Sequence, residues 1–142
     1  MKNIILILAV FLLVISCSKK DIKFEAFSSE AFAFDIGDGT AEVNATVRVK
    51  GFTQIKKDDN YQATVVYEVD LVKSDSVVQK SVFNFIQNQE GSEPIADMAL
   101  ESQFSLDSSY TAGTYTLIYN ISDKNSENKI KSKVDFDLEW EL

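Results

Sequence analysis

From residue 24 onward, the chain is a series of short runs in which apolar and polar residues alternate, with turn signals between them. The clearest run covers residues 42–52, where Val43, Ala45, Val47 and Val49 alternate with polar residues. A period of two is typical of a strand that buries one face. Seven such runs are present, and none of them keeps a helical period for longer than one turn. The pattern predicts an all-β domain of seven antiparallel strands.

Seven strands that each carry one apolar face can remove those faces from water by forming two packed sheets. The chain has 142 residues and one cysteine, so it predicts a single domain without an internal disulfide. The first strand carries Phe32, Phe34 and Ile36 on one face, and we expect Phe83 and Phe85 of the fourth strand to point inward. Two segments are interpreted as polar loops, residues 56–60 and residues 87–94.

The sixth run begins with Gly113-Thr114-Tyr115-Thr116-Leu117. This segment resembles the tyrosine corner of immunoglobulin-like sandwiches, in which a tyrosine hydroxyl bonds to backbone a few residues upstream. The resemblance implies an immunoglobulin- or fibronectin-III-like β-sandwich, with the third, fourth and sixth strands as neighbours in one sheet and the last strand beside them. Antibody domains have a cysteine where this chain has Leu117, and the only tryptophan, Trp140, lies on the last strand. Both departures favour the fibronectin-III-like form over the antibody-type form.

The N-terminus has the features of a secretory signal. Lys2 is followed by an apolar run from Ile4 to Ile15, which is too short to cross a membrane as a helix. The segment Val14-Ile15-Ser16-Cys17 resembles the lipobox of bacterial lipoproteins. That resemblance implies cleavage before Cys17, attachment of diacylglycerol to its sulfur, and acylation, for example with palmitate, of the new amino group. The alternative is an ordinary signal peptide with a chance cysteine near its end.

These features predict three parts: a signal peptide (1–16), a lipidated cysteine with a short tether (17–23), and the sandwich (24–142). Two or three acyl chains give stable membrane anchoring. About five tether residues reach no more than roughly 15–18 Å, so we expect the domain to lie close to its membrane. The predicted location is the bacterial cell envelope. Ser18 is compatible with the sorting of some lipoproteins to the outer membrane, while the periplasmic and surface-facing leaflets both remain open.

Several kinds of chemistry are disfavoured by composition. The net charge of −8 argues against nucleic acid as a partner, since phosphate recognition needs a basic surface. The chain has no histidine, the commonest general base and metal ligand. No Ser-x-x-Lys motif occurs in a helical context, and the acidic residues of the last strand alternate outward as on a solvated face. We therefore predict a protein that is not an enzyme and needs no cofactor.

The turn Asp35-Ile36-Gly37-Asp38-Gly39 is a weak candidate for calcium, through the carboxylates of Asp35 and Asp38. Such Asp-Gly sequences also simply connect strands, which is the alternative interpretation. We therefore predict no metal site elsewhere in the chain.

Some apolar residues are predicted to point away from the core and form a possible partner face: Val66, Val72 and Ile118, flanked by Lys131 and Lys133. Contiguous exposed apolar surface can mark a partner site, although scattered surface valines are normal. We expect a lipid-anchored binding, adhesion or accessory module for another envelope protein or an extracellular polymer. The alternative is a carbohydrate-binding module, for which Tyr61 and Tyr110 are the candidate stacking residues.

Overall fold

A computed structural model describes residues 22–141, which form an antiparallel β-sandwich. The predicted fold class is confirmed, with eight strands in place of seven. The predicted signal peptide and the segment that resembles a lipobox, including Cys17, lie outside the described residues. Within the described part, no helix is long and apolar enough to cross a membrane. The strands are β1 (Glu25–Asp35), β2 (Thr40–Lys50), β3 (Ile55–Lys57), β4 (Asn60–Lys73), β5 (Ser76–Gly91), β6 (Asp97–Asp107), β7 (Gly113–Asp123) and β8 (Lys129–Leu138).

The smaller sheet has the order β1-β2-β6, and the larger sheet has the order β3-β4-β7-β8 with β5 also paired to β4. The predicted neighbours of the third, sixth and last alternating runs are therefore confirmed as β4, β7 and β8. Strand β5, the fourth alternating run, lies beside β4 as predicted, whereas a constant-type immunoglobulin domain places its fourth strand in the opposite sheet. The arrangement therefore differs from the constant-type domain.

Two predicted loops are wrong. Residues 55–57 form β3, which pairs with the start of β4 through a tight turn containing Asp58 at a φ of 54°. Residues 87–91 continue β5, because Tyr61 to Val65 of β4 supply backbone partners as far as Gly91. Long-range pairing has overridden the low strand propensity of a segment rich in Gln, Asn and Glu.

The core lies between the sheets and is built from the alternating inner faces of the long strands. The inner residues of β2 are fully or nearly fully buried, and the largest fully buried side chains are tyrosines: Tyr67, Tyr115 and Tyr119. Among the described residues, no buried side-chain nitrogen or oxygen lacks a hydrogen-bond partner. A tyrosine-rich core of this kind needs partners for its hydroxyl groups, and each of the three has one.

The apolar face of β1 points outward. A bulge between Phe27 and Glu30, with Ser28 at a φ of 47°, shifts the register, and Ala31 and Ala33 then pack against the core. Phe32, Phe34 and Ile36 are consequently on the outer face, with 45–58% of their surface exposed.

The two lateral sides of the sandwich differ. On one side, which we call the closed side, β1 packs beside β8, and the hydroxyl groups of Ser29 and Ser132 share a hydrogen bond of 3.0 Å. On the other side, which we call the open side, β5 extends along β6 with far less contact between the sheets. The core is therefore sealed on the closed side alone.

The predicted tyrosine corner is confirmed. The Tyr115 hydroxyl donates to the backbone carbonyl of Thr111 at 2.8 Å, four residues upstream. The ring of Tyr115 stacks on Phe136 with centroids 5.7 Å apart, and the Lys73 ammonium lies 4.5 Å from the Tyr115 centroid. These contacts fix the loop before β7 at one end of the sandwich.

The opposite end, where the described chain begins, is organised by Asp123. Its buried carboxylate accepts hydrogen bonds from the Thr53 and Asn125 backbone N–H groups and from the Ser126 hydroxyl, at 2.7–3.0 Å. Burial raises the pKa of this carboxyl, but the three donors outweigh that effect and hold the pKa below its ordinary value. Asp123 thereby ties the loop after β2 to the end of β7.

Candidate functional site: a groove on the open side

The open side contains a groove of about 850 Å³ between β5 and the smaller sheet. It forms because the larger sheet has a strand, β5, that extends past β6 at the edge of the smaller sheet. Phe83, Phe85, Gln87 and Gln89 are on the same face of β5, in register with buried residues of β4. That face would be core if a strand covered it, but it lines the groove instead.

Aromatic side chains run from the core into this groove. The Tyr119 and Tyr67 rings stack with centroids 6.0 Å apart, and Phe83 lies 6.0 Å from Tyr67 on the other side. Phe85 lies 6.4 Å from Phe83 and is 51% exposed. Aromatic pairs at these separations are mutually stabilising. The Phe85 ring is thus held in position by packed neighbours while most of its own surface stays available to a ligand.

Hydrogen bonds fix the inner end of this row of rings. The Tyr67 hydroxyl donates to the Glu101 carbonyl on β6, and the hydroxyl groups of Tyr119 and Ser102 share a bond of 2.6 Å. Burial raises the pKa of Tyr67 to about 12 and also raises that of Tyr119. Both hydroxyl groups therefore stay protonated at neutral pH, and their hydrogen bonds join the two sheets.

The rest of the groove lining includes Phe32, Ala45 and Ala99 together with a larger set of polar residues. The polar set combines side-chain amides with two carboxylates, and it reaches onto the outer face of the smaller sheet: Glu30, Asn44, Thr46, Gln87, Gln89, Glu101 and Gln103. Amides donate and accept hydrogen bonds, and carboxylates accept them. A surface with an exposed ring beside such groups suits a ligand that has both an apolar face and hydroxyl or amide groups.

The predicted partner face lies on the larger sheet, away from the groove. Ile118 is directly opposite Lys133 on β8 and Asp70 on β4, and Lys131 is two pairs further along, opposite Asn120. Val66 lies four residues from Asp70 along β4, about 13 Å at the rise of a strand. Val72 is only 7% exposed.

Polar side chains occupy the outer face between Val66 and Ile118. Asp70 accepts hydrogen bonds from the Asn120 amide and the Ser81 backbone N–H, both at 3.0 Å, and exposed Glu68 lies next to it on β4. The structure brings the predicted residues onto one sheet, with acidic and amide groups between the two apolar side chains.

In the turn predicted as a weak calcium candidate, the Asp35 carboxylate accepts hydrogen bonds from backbone N–H groups. The two oxygens of Asp35 accept from the N–H groups of Gly37 and Glu141, at 2.8 and 2.9 Å. Residues 22–141 contain no cluster of three or more His, Cys, Asp or Glu side chains that could hold a metal ion. Asp35 therefore connects its turn to the end of the domain.

The predicted stacking residues have structural contacts. Tyr110 donates from its hydroxyl to the Gln79 side chain at 2.7 Å, its ring meets Tyr115 edge-on, and its carbonyl accepts from Trp140 at 2.9 Å. Tyr61 is half-buried with the Lys56 ammonium 5.5 Å from its centroid. Neither tyrosine lines the groove.

Sequence reasoning missed the groove, although the sequence contains a signal for it. Gln87 and Gln89 continue the alternation of Phe83 and Phe85, so one strand face changes from aromatic to amide halfway along. Burying amides in a dry core is unfavourable. A strand face that changes from aromatic to amide side chains indicates that part of the strand extends beyond the opposite sheet.

No protein-family model and no curated protein matches this sequence. Among solved structures, a protein from Archaeoglobus fulgidus is similar at 11% identity and a TM-score of 0.35, covering 82% of this chain and 99% of its own. A crystal structure assigned to an ApaA protein from Bordetella pertussis is similar at 12% identity and a TM-score of 0.39. That likeness covers 79% of this chain and 92% of the other. Neither likeness carries a functional argument.

Proposed function

We propose that this chain is a lipid-anchored binding module of the bacterial envelope, without catalytic activity, that engages an envelope protein or an extracellular polymer through the open-side groove. The single observation that carries this proposal is the exposed Phe85 ring in a groove lined by amides. The inner face of a strand exposes apolar surface only where nothing covers it, and such surface commonly marks a contact site.

The anchoring part of the proposal rests on Cys17 and its lipobox resemblance. Acyl chains on Cys17 would fix the location, and the tether would keep the sandwich near the membrane with its Asp123 end facing the lipid. The groove runs along the side of the sandwich, so a membrane at that end leaves it accessible. The outer membrane is the proposed location.

The absence of catalysis is proposed from the chemistry of the groove. The chain contains no histidine, and the lone cysteine is the proposed lipidation site. The hydroxyl groups of Tyr67, which lines the groove, and of Tyr119, which is buried beside it, have pKa values shifted upward, away from the range in which a general base works at neutral pH. These side chains can contact and orient a ligand, and they do not transfer protons.

Photocrosslinking in native envelopes tests the proposal. A photoreactive amino acid at Gln89 points into the groove, whereas one at Asn88 is equally exposed on the opposite face of the same strand. We expect a specific adduct from position 89 and none from position 88. A third position, Ile118, tests the predicted partner face on the larger sheet. Adducts from 118 alone would contradict the groove and support that face.

A second candidate function is carbohydrate binding, favoured by the combination of the Phe85 ring with Gln87 and Gln89. A ring stacks on the apolar face of a sugar while amides bond to its hydroxyl groups. Affinity electrophoresis through gels containing envelope polysaccharides separates this candidate from a protein partner. Retardation of the wild type that Phe85→Ala abolishes would support it, and equal mobility in every gel would exclude it.

A further inference from the structure

Both strands that border the groove have one backbone edge that pairs with no other strand of the described residues. Strand β5 pairs with β4 alone, and β6 is the last strand of the smaller sheet. The pairing of β5 with β4 is regular from Phe83 to Gly91, and residues 83–89 contain no charge, no proline and no glycine. A regular, uncharged edge readily accepts an additional strand. The groove therefore offers a ligand backbone groups as well as side chains.

Two carboxylates of the groove have no basic partner. Glu30 of β1 and Glu101 of β6 lie on either side of Thr46 in one row across the outer face of the smaller sheet, with Cα atoms roughly 10 Å apart. Both side chains are exposed, and neither belongs to a salt bridge within the described residues. The groove lining contains no Lys or Arg, and Arg48, two residues from Thr46, is paired with Asp97. The groove thus carries uncompensated negative charge.

Aromatic rings border these carboxylates. Phe32 follows Glu30 on the same face of β1 and is 58% exposed, and Phe85 borders the groove from β5. Burial is the main cause of the raised pKa of Tyr67, and the charge of Glu101 contributes to it, so that charge lies near the row of rings. Ring faces attract ammonium and guanidinium groups, and carboxylates pair with them. Rings and unpaired carboxylates together favour a cationic ligand.

We propose that the groove binds an extended, lysine-bearing segment of a partner protein, which adds a strand at the free edge of β5; this rests on the proposed function, with a protein as the partner. In strand addition, backbone hydrogen bonds supply affinity and alternate side chains supply specificity. Every second side chain of the segment then points into the groove.

The positions of the groove residues define the side chains that such a segment needs. Tyr67 is paired with Phe85 and donates to the Glu101 carbonyl, so Phe85 and Glu101 lie at the same level of the sandwich. An apolar side chain of the segment packs on the Phe85 ring. A lysine two positions away extends its ammonium group towards Glu101 and Glu30. The segment therefore alternates, with apolar and basic side chains on one face.

Charge and backbone distinguish this ligand from a glycan. An anionic polymer is repelled by Glu30 and Glu101. A neutral glycan uses the rings and the amides of the groove, but it leaves the two carboxylates and the edge of β5 without partners. A lysine-bearing strand uses all of these groups.

Binding of a synthetic peptide to the full-length chain in dodecyl maltoside micelles tests the proposal. The probe is fluorescein-labelled Thr-Leu-Thr-Lys-Thr-Leu-Thr, whose Leu and Lys side chains share one face of a strand, and its matched control has Glu in place of Lys. Fluorescence polarisation should show saturable binding of the lysine peptide and at least about tenfold weaker binding of the glutamate peptide. Equal binding of both peptides, or no saturable binding of either, would overturn the proposal.

Charge-removing variants test the two carboxylates. Glu30→Gln/Glu101→Gln should weaken binding of the lysine peptide at least about threefold and reduce the preference over the glutamate peptide. The matched control Glu68→Gln/Glu139→Gln removes two charges at exposed positions outside the groove and should bind like the wild type. An equal loss in both double variants would show a response to net charge alone and contradict the groove contacts.

Backbone methylation of the peptide tests strand addition. The N–H groups of successive residues in a strand point to opposite edges, so methylating the Leu and Lys nitrogens blocks one edge and methylating the Thr nitrogens blocks the other. Since the segment pairs with β5 along one edge, one methylated peptide should lose binding and the other should retain it. Retention by both, or loss by both, would overturn pairing along a single edge.

Photocrosslinking in envelopes separates failure of this proposal from failure of the proposed function. With the photoreactive group at Gln89, Glu30→Gln/Glu101→Gln should lower the yield of the specific adduct at least about threefold. An unchanged yield would leave the groove as a contact site and overturn the lysine-bearing segment. Absence of any adduct from position 89 in the parent chain would instead count against the proposed function.

Discussion

Strands β5 and β8 lie at opposite sides of the larger sheet, and the composition of their inner faces differs. The inner face of β8 is apolar at Ile130, Val134, Phe136 and Leu138, with Ser132 bonded to Ser29 of β1. The inner face of β5 changes from Phe83 and Phe85 to Gln87 and Gln89. The closed side therefore stabilises the folded sandwich, while the open side keeps a rigid apolar surface in contact with solvent.

Truncating one ring on each side gives the largest expected difference. Phe136→Ala should lower the free energy of unfolding by about 3–5 kcal/mol, because Phe136 is 4% exposed and leaves a cavity beside Tyr115. Phe85→Ala should cost less than about 1 kcal/mol, since half of that ring is already in water. Urea denaturation measures both values. Similar losses from the two variants would contradict the distinction between the sides.

The closed side also depends on a close backbone contact where β1 begins. Gly51 has a φ of +73°, and a Cβ there would lie 2.2 Å from the Lys23 carbonyl oxygen. Gly51→Ala should therefore cost about 3 kcal/mol or more, from overpacking added to the backbone strain.

Gly37→Ala is the matched control, with a φ of +85° and no atom within 4 Å of the added Cβ. It should cost about 1–2 kcal/mol, from the backbone conformation alone. Thermal unfolding monitored by circular dichroism compares the two alanine variants. Equal stabilities would show that the contact between Gly51 and Lys23 contributes nothing.

Acid should weaken the hydrogen bonds that Asp123 accepts at its end of the sandwich. The pKa of Asp123 is lower in the folded chain than in the unfolded chain, so its stabilisation is complete above the unfolded pKa of about 4 and is lost as the pH falls through the folded pKa. Asp123→Asn should cost about 1–3 kcal/mol at pH 7 and flatten the acid dependence. Tyr67 stays protonated throughout this range. Unfolding free energies between pH 2 and pH 7 measure the effect, and an unchanged acid slope in the variant would contradict it.

The smallest expected effects come from two tyrosine hydroxyl groups. Tyr115→Phe removes the bond to the Thr111 carbonyl and should cost about 1 kcal/mol. Tyr67→Phe removes the bond to Glu101, whose carbonyl lies beside the open groove, so water can replace the donor and the cost should be smaller. Matched denaturation curves rank the two variants, and a larger loss from Tyr67→Phe would mean that the open side is sealed.

Local patterns predicted most of the fold. Alternation from Val43 to Val49 identified β2, and the spacing from Gly113 to Tyr115 predicted a hydroxyl-to-backbone bond that the structure contains. The errors involve long-range pairing: residues 87–91, predicted as a loop, became strand because β4 supplied partners. The groove exists because β5 extends beyond the opposite sheet. Which strand does so depends on the pairing of segments far apart in the chain, and local periodicity carries no information about that pairing.

Hydrogen exchange of the full-length chain tests most directly whether the open-side groove is the contact site, by comparing native envelopes with purified chain in detergent. We expect added protection in envelopes for backbone amides of β5 and β6 around the groove, with β1 and β8 unchanged. Added protection confined to β7 and β8, on the outer face of Ile118 and Lys133, would contradict it and place the contact on the larger sheet.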